Sequence, residues 1–247
     1  MIVLPARNEG PRVGRVVAEV RRLLPGVPVV VVENGSIDDT AAAAARAGAV
    51  VLRSGPGYAR ALRAGFLYAL DAGAPWVVQM DADEQHPAAA LPALLRALDH
   101  ADLVVGSRFV GAPGYRVPVH RRTAIGALAA LASVCAGQRL FDVTSGLRAW
   151  RPEALAALTD DYPEDIADAN LLVRAVRRGL RVHEVSVPMR ARSGGRSMHA
   201  GPASVLFALR MMVLTAREGL GPRRLLLGGS PATARPAPLE FSHRSLP

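Results

Sequence analysis

A chain of 247 residues, half of them hydrophobic, carries enough apolar material for one substantial core and needs no second domain. Its net charge of +9 comes from 30 basic residues, all arginine, against 21 acidic ones, and the arginine excess collects downstream of Arg108. Such a surface attracts anions, yet no helix-turn-helix or zinc-ligand spacing appears and few aromatic residues are interleaved with the arginines, which argues against a nucleic-acid partner.

The chain opens on a strand-like run, Met1 to Leu4, with no basic leader or long apolar segment before it, which predicts a cytoplasmic protein. Strand-like Val29 to Val32, Ala49 to Leu52, Trp76 to Met80 and Leu103 to Ser107 alternate with helix-like Arg12 to Leu24, Asp38 to Ala47, Tyr58 to Ala72 and Pro87 to Asp99. Continuous apolar strands separated by helices predict an α/β fold. Its central sheet is mostly parallel, helices cover both faces, and ligands sit in the crevice beyond the strands' carboxyl ends. Every polar motif of the first half falls at that edge.

After Arg108 come a Gly/Pro-rich loop (Gly111 to Pro118), an amphipathic helix (Arg122 to Ala136), a helix from Asp165 to Arg178, a strand at Val182 to Val187 and a last apolar and basic helix over 203–218. The apolar run Ala124 to Gly137 is too short to span a bilayer and reads as a buried or interfacial helix. Within it Cys135, the one cysteine, reads as a small core residue with no partner for an internal disulfide. Residues 1–220 are expected to form one domain, and 221–247, rich in Gly, Pro, Ala and Arg, a loose tail.

Asp81-Ala82-Asp83 follows directly on Trp76 to Met80. Side chains two apart on an extended segment point the same way, so both carboxylates can converge on one hard cation at the sheet edge. Alone, a short acidic triplet is equally a solvated turn. Its company decides between the two. Pro5-Ala6-Arg7-Asn8-Glu9 follows the first strand and Glu33-Asn34-Gly35-Ser36-Ile37-Asp38-Asp39-Thr40 the second. Gly55-Pro56-Gly57-Tyr58-Ala59-Arg60 opens a helix, and Gly106-Ser107-Arg108 closes the strand after the acidic pair. Asp142-Val143-Thr144-Ser145-Gly146-Leu147-Arg148 and Arg192-Ser193-Gly194-Gly195-Arg196-Ser197 complete the order. This succession resembles the family 2 glycosyltransferases of the GT-A fold, and among them the polyprenyl-phosphate, dolichyl-phosphate mannosyltransferase-like branch.

The resemblance implies a Rossmann-like GT-A catalytic domain that moves a sugar from a GDP- or UDP-sugar, with inversion at the anomeric carbon and with Mg²⁺ or Mn²⁺ as cofactor. It gives Asp83 as the direct metal ligand and Asp81 as ligand of the metal or of the nucleotide ribose, roles open to exchange. Pro5, Arg7 and Glu9 match the first nucleotide-binding loop, and Ala82, Gly57 and Arg60 complete that side. Glu33 stands where the family reads the base, although Glu33-Asn34 replaces the commoner pair of aspartates. Arg108, Arg122, Arg148, Asp142, Ser145 and Ser197 fall on the side of the acceptor and its phosphate. Arg192 belongs to a loop that closes over the donor diphosphate. Clustering of Arg108, Arg122, Arg148 and Arg192 would suit two anionic ligands.

A phosphate acceptor is already anionic and needs no general base, whereas a hydroxyl acceptor needs a carboxylate, for which Asp160, Asp161, Glu164, Asp165 and Asp168 are the candidates, Glu164-Asp165 being the most like the family's acidic pair. Asn170 stands where the lipid branch often has a glutamate. The favoured acceptor is a polyprenyl phosphate, met by a protein peripheral to the inner face of a membrane; the alternative is a soluble hydroxyl-bearing small molecule. A sugar-1-phosphate nucleotidyltransferase would carry a Gly-rich basic loop where Pro5 to Glu9 stands, and a non-catalytic nucleotide-binding module would have lost one of the two aspartates. Asp38, Asp39 and Thr40 read as helix caps, and His86 as a capping or solvent residue.

Overall fold

The computed structural model describes residues 1–111, 117–190 and 203–222. Strands β1 (Ile2–Ala6), β2 (Val29–Glu33), β3 (Val50–Arg53), β4 (Val77–Gln79), β5 (Leu103–Ser107), β6 (Arg148–Trp150) and β7 (Val182–Ser186) form a seven-stranded sheet in the order β3-β2-β1-β4-β6-β5-β7. Neighbours are parallel except at β6, which runs antiparallel to both β4 and β5. Helices α1 (Gly10–Leu23), α2 (Thr40–Arg46) and α4 (Leu91–Ala97) pack on one face. Helices α3 (Tyr58–Asp71), α5 (Val119–Ala136), α6 (Pro152–Thr159), α7 (Ala169–Arg177) and α8 (Ala203–Leu220) pack on the other.

Because both faces are covered, β1 and β2 read as unbroken apolar runs rather than alternating ones, and Ile2 to Leu4 and Val29 to Val32 are buried throughout. Along α1, Val13, Val16, Val17 and Val20 recur at helical spacing and face the sheet, while Arg15, Arg21 and Arg22 face solvent. Gly65 lets α3 lie flat on the sheet, since a β-carbon there would overlap the Val3 side chain. Phe66 of α3 meets Trp150 and Tyr162 edge-on, at centroid distances of 6.2 and 5.7 Å. Each such fully buried side chain contributes about 1.5–3 kcal/mol of transfer free energy.

Three expectations need correction. The helix expected over Pro87 to Asp99 is a 3₁₀ turn, Ala88–Ala90, followed by α4, with Pro92 at the start of α4 where its missing N–H is harmless. The helix expected from Asp165 begins only at Ala169. Neither β6 nor α6 was expected: Arg148-Ala149-Trp150 is too short and too polar to read as a strand, and it becomes one only because β4 and β5 leave a gap of one strand between them. No helix among the described residues is long and apolar enough to cross a membrane. In α5, Ile125, Leu128, Ala129, Ala132 and Ala136 are buried, so much of that helix is core.

Candidate active site

The parallel strands end at one edge of the sheet, and β6, running the opposite way, begins there. Residues 5–9, Asn34, residues 81–83, Gln85, His86 and residues 144–146 are thereby gathered around a cavity of about 470 Å³. Pro5, Arg7, Glu9 and Asn34 line it, together with Asp81, Ala82 and Asp83 and with Arg108, Arg121, Thr144 and Ser145.

Both aspartates reach the cavity, by different routes. Asp83 is 9% exposed, and its Oδ1 accepts the Gln85 N–H at 3.1 Å, a turn closed within the loop. Asp81 accepts the Tyr58 hydroxyl on Oδ1 at 2.8 Å, and its backbone N–H donates to His86 Nδ1 at 3.1 Å. That bond puts the proton of a neutral His86 on Nε2. His86 is buried and lines the cavity, so it is neither a cap nor a solvent residue. Gly146 abuts the Asp81 carboxylate, which a β-carbon there would overlap. Burial first, then the negative charges of Asp81 and Asp168, hold the Tyr58 phenol well above its ordinary range, so it stays a donor.

Two hard carboxylates at the mouth of a sheet suit Mg²⁺ or Mn²⁺. Among the described residues no group of three or more His, Cys, Asp or Glu is placed to enclose a metal by itself. A cation held by one or two carboxylates, with substrate phosphates and water completing its shell, matches that donor set.

The first two loops are clipped together. Asn8, at a φ of 56°, donates its N–H to Ser36 Oγ at 3.1 Å and accepts the Ile37 N–H on Oδ1 at 2.9 Å. The Glu9 N–H donates to Thr40 Oγ1 at 2.9 Å, and the Gly10 N–H to Asp38 Oδ2 at 3.0 Å. Asp38 also accepts the Thr40 N–H, so one carboxylate caps the starts of both α1 and α2. Burial alone would raise the Asp38 carboxyl, but its bonds from Thr40 and Gly10 outweigh that and hold it below its usual range. A depressed carboxyl contributes stability that is present above its unfolded value of about 4 and is lost as pH falls through the folded one. Asp38→Asn is therefore expected to flatten the acid limb of the melting-temperature profile below about pH 4. An acid limb identical to that of the unsubstituted protein would remove Asp38 from it.

Glu33 does not line the cavity: its Oε1 accepts the Ser36 N–H, and bonds from Ser36 and Gly35 overcome burial to keep it ionised. Asn34 does line it, 5% exposed, with its side-chain oxygen unpartnered. Arg60 and Glu164 lie apart, in a second depression of about 420 Å³ with Arg63, Asp160 and Tyr162, and Gly57 lines neither cavity. Asp165 lines the main cavity and pairs with Arg210 at 2.8 Å.

Arg108, expected on the acceptor side, is already engaged. Its Nε and Nη2 donate to Asp142 at 2.7 and 2.5 Å, and Nη2 also donates to Thr144 Oγ1 at 2.7 Å. Burial would lower its affinity for its proton, but the bonds and charge of Asp142 overcome this and keep the guanidinium charged. Asp142 is fully buried beneath it, and Ser145 spends its hydroxyl on the Gly106 carbonyl at 2.6 Å. Arg148 is also fully buried, donates to the Ala167 carbonyl at 2.9 Å and lies 3.6 Å from Asp168 Oδ1. It stiffens the floor instead of facing the cavity, and Arg121, not Arg122, reaches the cavity wall. The expected cluster of four arginines is thus not assembled by the described residues, and Arg192 and Ser197 lie outside them.

Sequence reasoning passed over Tyr58 and Phe207, both at the cavity, whereas Asp168, one of the five candidate bases, does line it. Tyr58 had a signal, its place directly after Gly57 at a helix start. Nothing local marks Phe207, which reaches the cavity from the last helix.

The family model described as glycosyl transferase family 2 matches residues 1–167. A dolichyl-phosphate hexose transferase from Haloferax volcanii is 34% identical over 209 residues, 83% of this chain and 89% of that protein. An undecaprenyl-phosphate mannosyltransferase from Micrococcus luteus is 32% identical over 214 residues, 81% of this chain and 87% of that protein. Among solved structures, glucosyl-3-phosphoglycerate synthase from Mycobacterium tuberculosis, crystallised with Mn²⁺ and UDP-glucose, superposes with a TM-score of 0.68 at 23% identity, over 88% of this chain and 77% of that one. That likeness bears on the fold, and the fold is GT-A. With Asp81, Asp83 and the polar loop after β1 gathered where its parallel strands end, this chain belongs to glycosyl transferase family 2 and is a glycosyltransferase of the branch that holds these polyprenyl-phosphate relatives.

Proposed function

We propose that the chain transfers a hexose from a nucleoside diphosphate sugar to a polyprenyl phosphate. The observation that carries this is the cavity itself. It is lined both by Asp81, Asp83 and the loop after β1 and by Arg108, Arg121, Val117 and Phe207, so one cavity offers a metal-bound diphosphate site together with basic and apolar side chains. In the transfer a phosphate oxygen of the acceptor bonds to the anomeric carbon from the face opposite the leaving group. The bond from that carbon to the donor diphosphate breaks, and inversion results. Asp83 and Asp81 would hold Mg²⁺ or Mn²⁺, which when bound neutralises charge on the departing diphosphate. Asn34, with its free buried carboxamide oxygen, is suited to the base through a ring N–H such as that of uracil or guanine. Arg192, which lies outside the described residues, keeps the diphosphate role that the family resemblance implies for it.

The lipid acceptor draws support from α8. Phe207 lines the cavity, while Leu206, Leu209, Val213 and Leu220 form an exposed stripe on the same helix, each more than half exposed. Exposed Arg210 and Arg217 lie on that helix and exposed Arg121 and Arg122 at the start of α5, which suits an anionic lipid surface. The membrane-facing helix is then α8 more than α5, whose apolar residues are largely spent on the core.

Two observations favour a soluble hydroxyl acceptor: Arg108 is already paired, and two carboxylates among the candidate bases, Asp165 and Asp168, line the cavity. Co-sedimentation with phosphatidylglycerol vesicles, run beside donor consumption with and without a short polyprenyl phosphate, separates the readings. The lipid reading expects salt-sensitive sedimentation, weakened in Leu209→Glu, and donor consumption stimulated by the lipid. No sedimentation and no stimulation would transfer the assignment to a soluble acceptor.

A further inference from the structure

We propose that Tyr58 is a positioning residue for the donor reaction, holding the Asp81 carboxylate in the orientation that serves the metal-bound diphosphate. This rests on the reading of Asp81 and Asp83 given above. Tyr58 is the first residue of α3, set there by Gly57 at a φ of 130°, a conformation L side chains rarely adopt. Its hydroxyl donates to Asp81 Oδ1 at 2.8 Å.

Asp81 is confined from its other sides as well. Gly146 abuts the carboxylate, and His86 Nδ1 accepts the Asp81 backbone N–H at 3.1 Å and lies 3.8 Å from Oδ2. Gly146 and His86 limit where the group can go, but Tyr58 supplies the bond that fixes its rotation. A carboxylate oxygen has two acceptor sites, so the phenol takes one on Oδ1 and leaves the rest of the group for a ligand.

The two aspartates are held by different means. The Asp83 carboxylate is oriented by a turn within its own loop, through the Gln85 N–H. Asp81 depends on a helix that arrives from a different part of the chain. Groups that hydrogen-bond a metal-ligating side chain from behind typically cost about 10–100-fold in metal affinity when removed. Tyr58→Phe keeps the ring that fills the site and deletes only the bond.

The test is calorimetric titration of UDP and of GDP, with and without Mn²⁺, alongside melting temperature and steady-state rates. The expected result for Tyr58→Phe is a Mn²⁺-dependent affinity about 10–100-fold weaker, an unchanged metal-free affinity and a matching fall in kcat, with no further loss when it is added to Asp81→Asn. Gly146→Ala, whose β-carbon would displace the same carboxylate while leaving the phenol in place, is expected to reproduce the affinity loss. If Asp81→Asn loses Mn²⁺-dependent affinity while Tyr58→Phe only lowers the melting temperature, Tyr58 is mere packing and the inference is overturned with the metal reading intact. If neither Asp81→Asn nor Asp83→Ala alters Mn²⁺-dependent affinity, the metal reading fails and takes the inference with it.

Discussion

Asp83→Ala is expected to lower turnover by about 10³-fold, the scale on which fixed electrostatic stabilisers of a developing negative charge act. Nucleoside diphosphate binding in Mn²⁺ should weaken with it. The fold should survive, because Asp83 sits in a bend beyond the end of β4 and not within a strand of the sheet. Asp83→Asn sharpens the test: the amide oxygen can still accept the Gln85 N–H, so the turn persists while the charge is gone. Both variants should therefore be inactive at an almost unchanged melting temperature. Full turnover in the asparagine variant would remove the charge of Asp83 from the chemistry, and a collapse of melting temperature in it would make the residue structural.

The largest loss of stability is expected from Asp142→Ala. Asp142 is 0% exposed and receives Nε, Nη2 and the backbone N–H of Arg108, whose side chain is itself only 14% exposed. Removing one partner of a buried pair leaves an uncompensated charge, at about 3–5 kcal/mol. For a domain of this size that corresponds to a fall in melting temperature of roughly 6–20 °C. Among the described residues Thr144 Oγ1 is the other side-chain acceptor bonded to that guanidinium, and a neutral hydroxyl is too weak to substitute. Replacing both charges together, Arg108→Met with Asp142→Leu, should recover most of the stability, because apolar isosteres incur no desolvation penalty. A loss below about 1 kcal/mol for Asp142→Ala would mean that Arg108 swings out to solvent, and would free it for an acceptor phosphate.

The sequence by itself determined the parts that are local. Apolar runs of four or five residues between amphipathic helices specify parallel strands covered on both faces, and β5 falls at Leu103–Ser107, the range the run predicts. An acidic pair and polar loops directly after such strands must lie at the carboxyl edge, so Pro5, Arg7, Glu9, Asp81 and Asp83 were legible as neighbours before any coordinates. Tertiary structure decided what depends on contacts between distant segments. β6 is a strand only because β4 and β5 stand one strand apart, and that antiparallel insertion brings Thr144, Ser145 and Gly146 to the cavity. Whether an arginine faces a ligand or a carboxylate is likewise invisible in one dimension. Arg108 and Arg148 carry the same group, but Asp142 claims the first, and the second, paired beside Gln79 in the sheet, is sealed beneath the floor. Tyr58 became part of the site by the same route, since a hydroxyl at a helix start acquires a role only when packing sets it 2.8 Å from a carboxylate on another loop.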